Sequence, residues 1–423
     1  MIGSLEKFRS RLVVHERDAL DKSGILISAI RGHVQTNTIP PASDPLRTSR
    51  SGLPSSLTLI SRLSCKRAGT RFNARGIDDD GNVANFVESE TVYWSPSANV
   101  QYSSEQADEK PAGICFSYAQ IRGSAPIFFE QAPGLLPGQQ KVTVTRSPQG
   151  TQPAFDKHFE ELERNYGAVH VVNLLSETKP AEAEITACYQ YGISHSSLNK
   201  TEEKNAKDHQ LLRVTEYDFH AETKGPQGYQ AASMIRSIIE NSADGFAYYL
   251  SEEIDDAEDI PEKQSRRTVV VLQQEGVFRT NCLDCLDRTN LIQTIISQMA
   301  VESFLLHRGA RGTSEFWMRH STMWADNGDA LSRIYAGTGA LKSSYTRFNK
   351  QTLSGVFADA RKSATRLYMN NFVDKGRQNT IDVLLGRLVG QVPVHLFDPI
   401  NDYVTAELNK RSSEFQSSEV INM

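Results

Sequence analysis

The stretch Cys282-Leu283-Asp284-Cys285-Leu286-Asp287-Arg288 sets a nucleophilic sulfur five residues ahead of a guanidinium. Read as a loop between a short strand and a helix, it suits phosphate-ester chemistry for three physical reasons. A loop closing on a helix N-terminus aims several backbone N–H groups at one point, where the helix dipole favours an anion. The planar fork of Arg288 can hold two phosphate oxygens at once. The same positive field favours thiolate over thiol, and can lower a cysteine pKa of about 8.5 by several units. The implied reaction is in-line attack of the Cys282 thiolate on phosphorus, expulsion of an alkoxide, and hydrolysis of the resulting phosphocysteine. The leaving oxygen needs a proton, and Asp284 and Asp287 are the nearest acids in sequence. Asp284 stands first, because Asp287 adjoins Arg288 and can serve to orient it; each is equally open to a structural role, accepting loop N–H bonds. Leu283, Cys285, Leu286 and Thr289 complete the loop. No metal or other cofactor is expected, since the loop and Arg288 supply the positive charge.

Two other chemistries use a CxxC pair such as Cys282 and Cys285. A structural zinc site needs two further ligands, and no second CxxC or Cys/His pair exists. A redox dithiol wants its CxxC after a strand and at a helix start, which is only partly met. Between the two sulfurs, geometry favours Cys282 as nucleophile. It occupies the strand-end floor of the loop, whereas Cys285 lies mid-loop, where side chains tend to face away from a bound phosphate. Their closeness leaves room for a reversible disulfide under mild oxidation.

The elements that must position this loop can be traced along the chain. Leu5, Phe8, Leu12 and Val13 have helix-like spacing, and residues 36–57 read as a Pro/Ser/Thr/Gly linker. Short apolar runs from Leu57 to Phe86, with the turn Asp80-Gly81-Asn82, predict strands and hairpins. Residues 95–112 read as a gap in ordered structure, and Val142 to Thr145 as a strand. Phe155, His158, Phe159, Leu162 and Tyr166 share a helical face that stops at Gly167. Val169 to Leu175 is a buried-strand run, and Leu211 to Phe219 a further strand. Tyr229, Ala232, Ile235, Ile238 and Ile239 mark a helix, and the acidic residues 251–263 a solvated loop. Val269 to Leu272 and Val277-Phe278 are strands either side of a turn at Gln274-Glu275-Gly276. Leu291, Ile292, Ile295, Ile296 and Met299 give the helix after the cysteine loop its apolar face. Alternating strands and helices predict an α/β fold, a mixed sheet flanked by helices with the loop between a strand and a helix.

Bulk composition narrows the partners. Hydrophobic residues at 39% and charged residues at 23% are ordinary for a globular chain with a sizeable core. A net charge of −5 gives no basis for nucleic-acid binding, so a polyanionic substrate must meet a local basic site. Five cysteines, an odd and sparse set, point to a reducing compartment rather than a disulfide framework. The start lacks a basic stretch followed by an apolar run. The longest apolar stretch, Ile381 to Phe397, is interrupted by Asp382, Arg387 and His395. The expectation is a cytoplasmic protein, peripheral at membranes.

The full string Arg279-Thr-Asn-Cys-Leu-Asp-Cys-Leu-Asp-Arg-Thr-Asn290 resembles the signature RxNCxDCLDRTN of the Sac-type phosphoinositide phosphatases, with every fixed position present. Further segments share the resemblance. They are Lys66 to Phe72 with Gly76 to Phe86, Ile121-Arg122-Gly123-Ser124 with Phe129-Glu130-Gln131, Tyr217 to His220, and Trp324 to Asp329 with Ile334 to Leu341. Their wording is most similar to the Sac domain of fungal synaptojanin-like proteins, over about residues 57–390. The resemblance implies hydrolysis of phosphatidylinositol 4- and 3-monophosphates and in some cases the 3,5-bisphosphate. It implies Cys282 as nucleophile and Arg288 as phosphate clamp, on a lipid in a membrane surface reached with or without a recruiting protein partner. A catalytically weak phosphoinositide-binding scaffold is the alternative, and a protein tyrosine phosphatase a third reading. Arg71, Arg122, Asn281, Asn327 and Asp329 are candidate headgroup contacts; Arg71 and Arg122 also read as core-edge ion pairs, and Asp329 as a helix N-cap. Gly69, Gly76, Gly81 and Gly123 read as turn formers, and His220 as structural. The resemblance divides the chain into residues 1–56 (a remnant of the family's N-terminal subdomain), a catalytic domain over 57–395 and a tail over 396–423. It leaves no room for the 5-phosphatase domain of synaptojanins.

Overall fold

The computed structural model describes residues 9–24, 30–46, 54–98, 112–132, 141–199, 211–226, 228–255, 266–284, 286–341, 346–347, 353–385 and 387. The chain forms two compact units, one of residues 1–30 with 372–423, the other of residues 31–371. In the first unit, helix α1 (Val14–Lys22) carries Glu16 in its first turn and Lys22 in its last, the charge order that suits the helix dipole. Arg9 donates to both carboxylate oxygens of Asp21 at 2.8 and 2.7 Å.

The second unit is built on a nine-stranded mixed sheet. Strands β1 (Gly32–Ile39), β2 (Ser55–Leu63), β3 (Val87–Ala98) and β4 (Ala112–Ser124) form an antiparallel meander. A two-stranded ribbon, β5 (Phe129–Ala132) with β6 (Lys141–Val144), stands apart. Helix α2 (Pro148–Tyr166), strand β7 (Ala168–Asn173), helix α3 (Pro180–His195) and strand β8 (Leu212–Glu216) follow. A single turn α4 (Phe219–Glu222) and a 3-10 segment lead into α5 (Ile235–Phe246). Then come β9 (Tyr249–Asp255), β10 (Arg266–Leu272), β11 (Gly276–Cys282), α6 (Asp287–His307), α7 (Ser314–Ala336) and α8 (Leu353–Tyr368).

Strand β4 divides its second edge between two partners. Its first half, Ile114 to Ser117, pairs antiparallel with β9, and its last four residues, Ile121 to Ser124, pair parallel with β11. Strand β11 also runs parallel to β7, and β7 to β8. The carboxyl ends of β4, β11, β7 and β8 therefore lie along one edge, where open parallel sheets bind ligands. All seven residues of β11 are buried, as befits a central parallel strand covered on both faces. Alternation splits the core: Phe278 and Val172 pack with Phe304, Phe316 and Trp324, while Val277, Val169 and Val171 pack with Phe155, Phe159 and Tyr189. Helices α6 and α7 thus cover one face, and α2 and α3 the other.

The mixed α/β architecture follows the sequence pattern, with three differences. Residues 36–39 belong to β1 rather than to a linker, in continuous register with β2 from Gly32↔Arg62 to Ile39↔Ser55. The boundary placed at residue 57 therefore cuts through a strand pair. Residues 251–255 of the acidic run are strand β9, held between β4 and β10, with Glu252 buried against Arg308. Gly123 makes no turn; it lies inside β4, where a Cβ would come within 2.8 Å of Val83 Cγ2. The expected gap at 95–112 and the acidic residues 256–263 lie mainly or wholly outside the described residues.

Gly167 fixes where β7 and β11 begin. It caps α2 with φ of 78°, donates to Glu163 O at 2.8 Å, and leaves a Cβ only 2.3 Å from Glu275 O. Gly167→Ala combines left-handed strain with a backbone clash and is expected to destabilise the fold by roughly 2 kcal/mol or more. Chemical denaturation reads this directly; an unchanged midpoint would show that the turn relaxes freely.

Candidate active site at the end of the central strand

Cys282 is the last residue of β11 and is 1% exposed. Its strand is anchored by Arg279, a fully buried cation. Arg279 donates through Nε to His158 Nε2 at 3.0 Å and through Nη2 to Ser124 O at 2.9 Å, with its guanidinium over the Phe159 ring. His158 in turn sits 2.8 Å from Gly81 O through Nδ1, so Nδ1 carries the proton and Nε2 accepts. Burial, and then the charge of Arg279, push the His158 pKa well down and keep the ring neutral.

The loop after Cys282 is shaped from outside. Arg75, 3% exposed, donates to Leu283 O at 2.7 Å, and the Asn85 amide to Asp284 O at 3.3 Å. These two bonds tie the loop's backbone carbonyls to residues outside it. The Asp284 carboxylate is clamped between Arg71 and Arg75, one oxygen to each. Burial works to raise its pKa, but the charges and hydrogen bonds of Arg71 and Arg75 win and hold it far below the usual carboxylate range. Asp284 is therefore an ionised anchor, and the expectation that it is the first choice as proton donor is revised. Leu283 and Leu286 are buried and Thr289 is fully buried in the first turns of α6. Cys285 lies outside the described residues.

Asp287 has a different environment. Its Oδ1 accepts the Leu341 N–H at 2.6 Å, and Arg366 Nη1 lies 3.4 Å from Oδ2. Burial raises its pKa, and Arg366 and the Leu341 amide only partly oppose this. Arg366 also donates to Thr338 Oγ1 and Ser332 Oγ, both at 2.9 Å, and to Gly339 O at 3.1 Å. The Thr338-Gly339-Ala340-Leu341 segment is thus a bracket for Asp287.

Arg288 projects from the first turn of α6. Its Nη1 donates to Leu174 O at 3.3 Å, and Nη1 and Nη2 reach the two oxygens of Glu182, each at 3.3 Å. Leu174 continues β7, and its N–H donates to Asn281 O at 3.0 Å, beside Cys282. Glu182 is itself fixed, accepting the Ser176 N–H at 2.9 Å. Burial disfavours the charge on Arg288, but Cys282 and Glu182 outweigh it and raise its pKa further. The terminal edge faces Glu182, and among the described residues no partner meets the Nε–Nη2 edge.

The other expected headgroup residues divide. Arg71 is at the loop, as an ion-pair partner. Arg122, Asn281 and Asn327 are 1%, 0% and 0% exposed and present no surface to a headgroup. Asp329 is no N-cap; it lies inside α7, accepting the Ala340 N–H at 2.8 Å and facing Arg347 and Lys362. The His220 side chain lies outside the described residues. Sequence reading missed Arg75 and Glu182. Arg75 had one signal, its place four residues after Arg71; Glu182 reaches the loop only through the fold.

These observations define an α/β protein with a cysteine strand–loop–helix site at the carboxyl edge of a parallel sheet. The family model of the SacI homology domain matches residues 6–224, just over half of the 423, and the chain belongs to that family. The match begins well before the motifs noted from residue 57. Over 415 residues, 98% of this chain and 34% of the relative, it is 43% identical to inositol-1,4,5-trisphosphate 5-phosphatase 1 of Schizosaccharomyces pombe. It is 41% identical over 422 residues, again 98% and 34%, to polyphosphatidylinositol phosphatase INP53 of Saccharomyces cerevisiae. It is 33% identical over 335 residues, 78% of this chain and 50% of the relative, to phosphatidylinositol-3-phosphatase SAC1-B of Danio rerio. The chain thus spans about a third of the length of these fungal relatives.

Asp284→Asn leaves one of two buried guanidinium groups without a full countercharge and is expected to cost about 3 kcal/mol at pH 7. The folded carboxyl is depressed, so its contribution is present above the unfolded pKa of about 3.9 and is lost as pH falls towards the folded value. Urea denaturation of wild type and variant at pH 7, 5 and 3.5 should show the gap closing on the acid side; a constant gap would mean that the ion pairs contribute nothing.

Proposed function

We propose that this chain is a phosphoinositide phosphatase acting on phosphatidylinositol 4- and 3-monophosphates, and on the 3,5-bisphosphate, through a phosphocysteine. The observation that carries the reading is the placement of Cys282 at the end of β11 with Arg288 in the first turn of the following helix, its side edge open to an anion. The names of the relatives, each a phosphatase of an inositol phosphate or phosphoinositide, support the substrate class.

The Cys282 thiolate attacks phosphorus in line, the S–P bond forms as the P–O bond to the inositol breaks, and Arg288 with the loop amides takes up the charge on the equatorial oxygens. Asp287 is the proposed proton donor to the leaving alkoxide, because its surroundings favour the protonated form and those of Asp284 oppose it. Water then hydrolyses the phosphocysteine, releasing inorganic phosphate and restoring the thiolate. Arg71 and Arg75 act through Asp284 on loop shape; Arg122, Asn281 and Asn327 support the strand and helix behind it. No described helix is long and apolar enough to cross a membrane, so the chain is proposed to meet its lipid peripherally, in the cytoplasm, with or without a recruiting protein.

The test is phosphate release from a panel of short-chain phosphoinositides, with a phosphotyrosine peptide as control. Wild type is expected to act on the lipids, Cys282→Ser to be inactive and Cys285→Ser to retain measurable turnover. Arg288→Lys should lose at least about a hundredfold in kcat, nearly as much as Arg288→Ala, since an ammonium cannot grip two oxygens. Turnover of the peptide alone, or activity surviving in Cys282→Ser, refutes the reading.

Asp287→Asn should lower kcat by about a hundredfold. A general acid must be protonated, so wild-type kcat falls as pH rises through the Asp287 pKa, and that alkaline limb should flatten in the variant. A variant that keeps the wild-type limb shows that another group donates the proton.

A further inference from the structure

Lys179 closes the loop that follows β7 and directly precedes α3, its carbonyl accepting the N–H of Glu182 at 2.9 Å and of Ala183 at 2.8 Å. The same loop supplies Leu174 O, and the first turn of α3 supplies Glu182, the two groups that hold Arg288. Lys179 therefore stands on the β7–α3 side of the site, next to the groups that hold Arg288. Among the described residues each guanidinium at the loop pairs with a carboxylate, Arg71 and Arg75 with Asp284, Arg288 through its terminal edge with Glu182, and Arg366 with Asp287. The Lys179 ammonium, half-buried, has no hydrogen-bond or ion-pair partner among the described residues. It feels this site electrostatically: burial and then Arg288 push its pKa down, against the pull of Glu182, Asp218 and Cys282. A cation without a partner, beside a nucleophile and a phosphate clamp, is placed for a second anionic group.

We propose that Lys179 is a substrate-binding residue that grips the non-reacting phosphate of a ligand carrying two phosphates, and so selects phosphoinositides over simple phosphomonoesters. This rests on the proposed function and deepens it. The reacting phosphate sits between Cys282 and the free edge of Arg288. The second anion is either the phosphodiester that joins inositol to the lipid or a further ring phosphate. A lysine suits this task, being a point charge on a flexible stem that can meet either.

The experiment measures kcat/KM for a short-chain phosphatidylinositol 4-phosphate, for soluble inositol 4-phosphate, which keeps the ring and lacks the phosphodiester, and for p-nitrophenyl phosphate. Wild type, Lys179→Met and Lys179→Arg are compared. Lys179→Met is expected to lower the ratio of lipid to p-nitrophenyl phosphate activity about tenfold, the size of one charge-assisted hydrogen bond, mostly through KM. Lys179→Arg should recover most of it. A loss for the lipid without a matching loss for inositol 4-phosphate assigns the phosphodiester as the second anion. Equal losses on all three substrates, no loss on any, or no recovery with arginine overturn the assignment of Lys179 while leaving the phosphatase reading intact. A wild type that hydrolyses p-nitrophenyl phosphate and neither inositol compound overturns the proposed function, and this inference with it.

Discussion

Arg75 is the interaction on which the site's shape depends. One buried guanidinium bonds the Leu283 carbonyl, the Asp284 carboxylate, Gln131 of the β5–β6 ribbon and the Tyr335 hydroxyl near the end of α7. A loop of few residues between a strand and a helix has no core of its own, and its conformation must be imposed by neighbours. Burying a guanidinium is costly unless its donors are satisfied. Here satisfying them requires that three separate segments, that of Arg75, the β5–β6 ribbon and the end of α7, meet at the loop. A buried charge satisfied in this way favours the one placement of these segments that supplies its partners.

The same logic extends outward. Arg279 ties β11 to β4 and α2, Arg288 ties α6 to β7 and α3, and Arg366 ties α8 to the bracket around Asp287. Each arginine joins elements distant in sequence. A chain with net charge of −5 can thus assemble a concentrated positive site. The acidic groups nearest to it hold the cations in place, and the partial charges of the loop amides add to the field without any side-chain countercharge.

What was legible in the sequence was whatever depends on neighbours along the chain. The spacing of Cys282 to Arg288 and the apolar face of Leu291 to Met299 are local, and so are the buried run at Val169 and the stop at Gly167. Strand β1 was hidden because its inward face carries the polar Gln35 and Asn37 beside Ile39, and its turn signals begin only at Pro40. Strand β9 was hidden because its acids read as solvent-facing until Arg308 is brought to Glu252. Arg122, Asn281 and Asn327 lie in the shared motifs and yet are interior. Membership of a motif does not distinguish a residue that touches a ligand from one that supports the backbone behind it, because both tolerate little change. Conversely Glu182 and Lys179 belong to no motif, and come to Cys282 only because β7 lies parallel to β11.

The two loop aspartates show how far such placement reaches into chemistry. Asp284 and Asp287 are three residues apart, on one loop, in one sequence signature. Both are buried enough for desolvation to be the largest influence on each. What separates them is the number and closeness of cations. Two arginines bonded directly to Asp284 overcome burial, whereas one longer contact from Arg366 and a backbone N–H do not overcome it at Asp287. Carboxyls pushed apart in this way are suited to different roles, the surroundings of Asp284 favouring the ionised form and those of Asp287 the protonated one. Sequence order favoured Asp284 as the acid only because Asp287 adjoins Arg288. The fold separates the two, since Arg288 turns to Glu182 instead of to Asp287, and Asp287 is met by Arg366 at the longer distance of 3.4 Å.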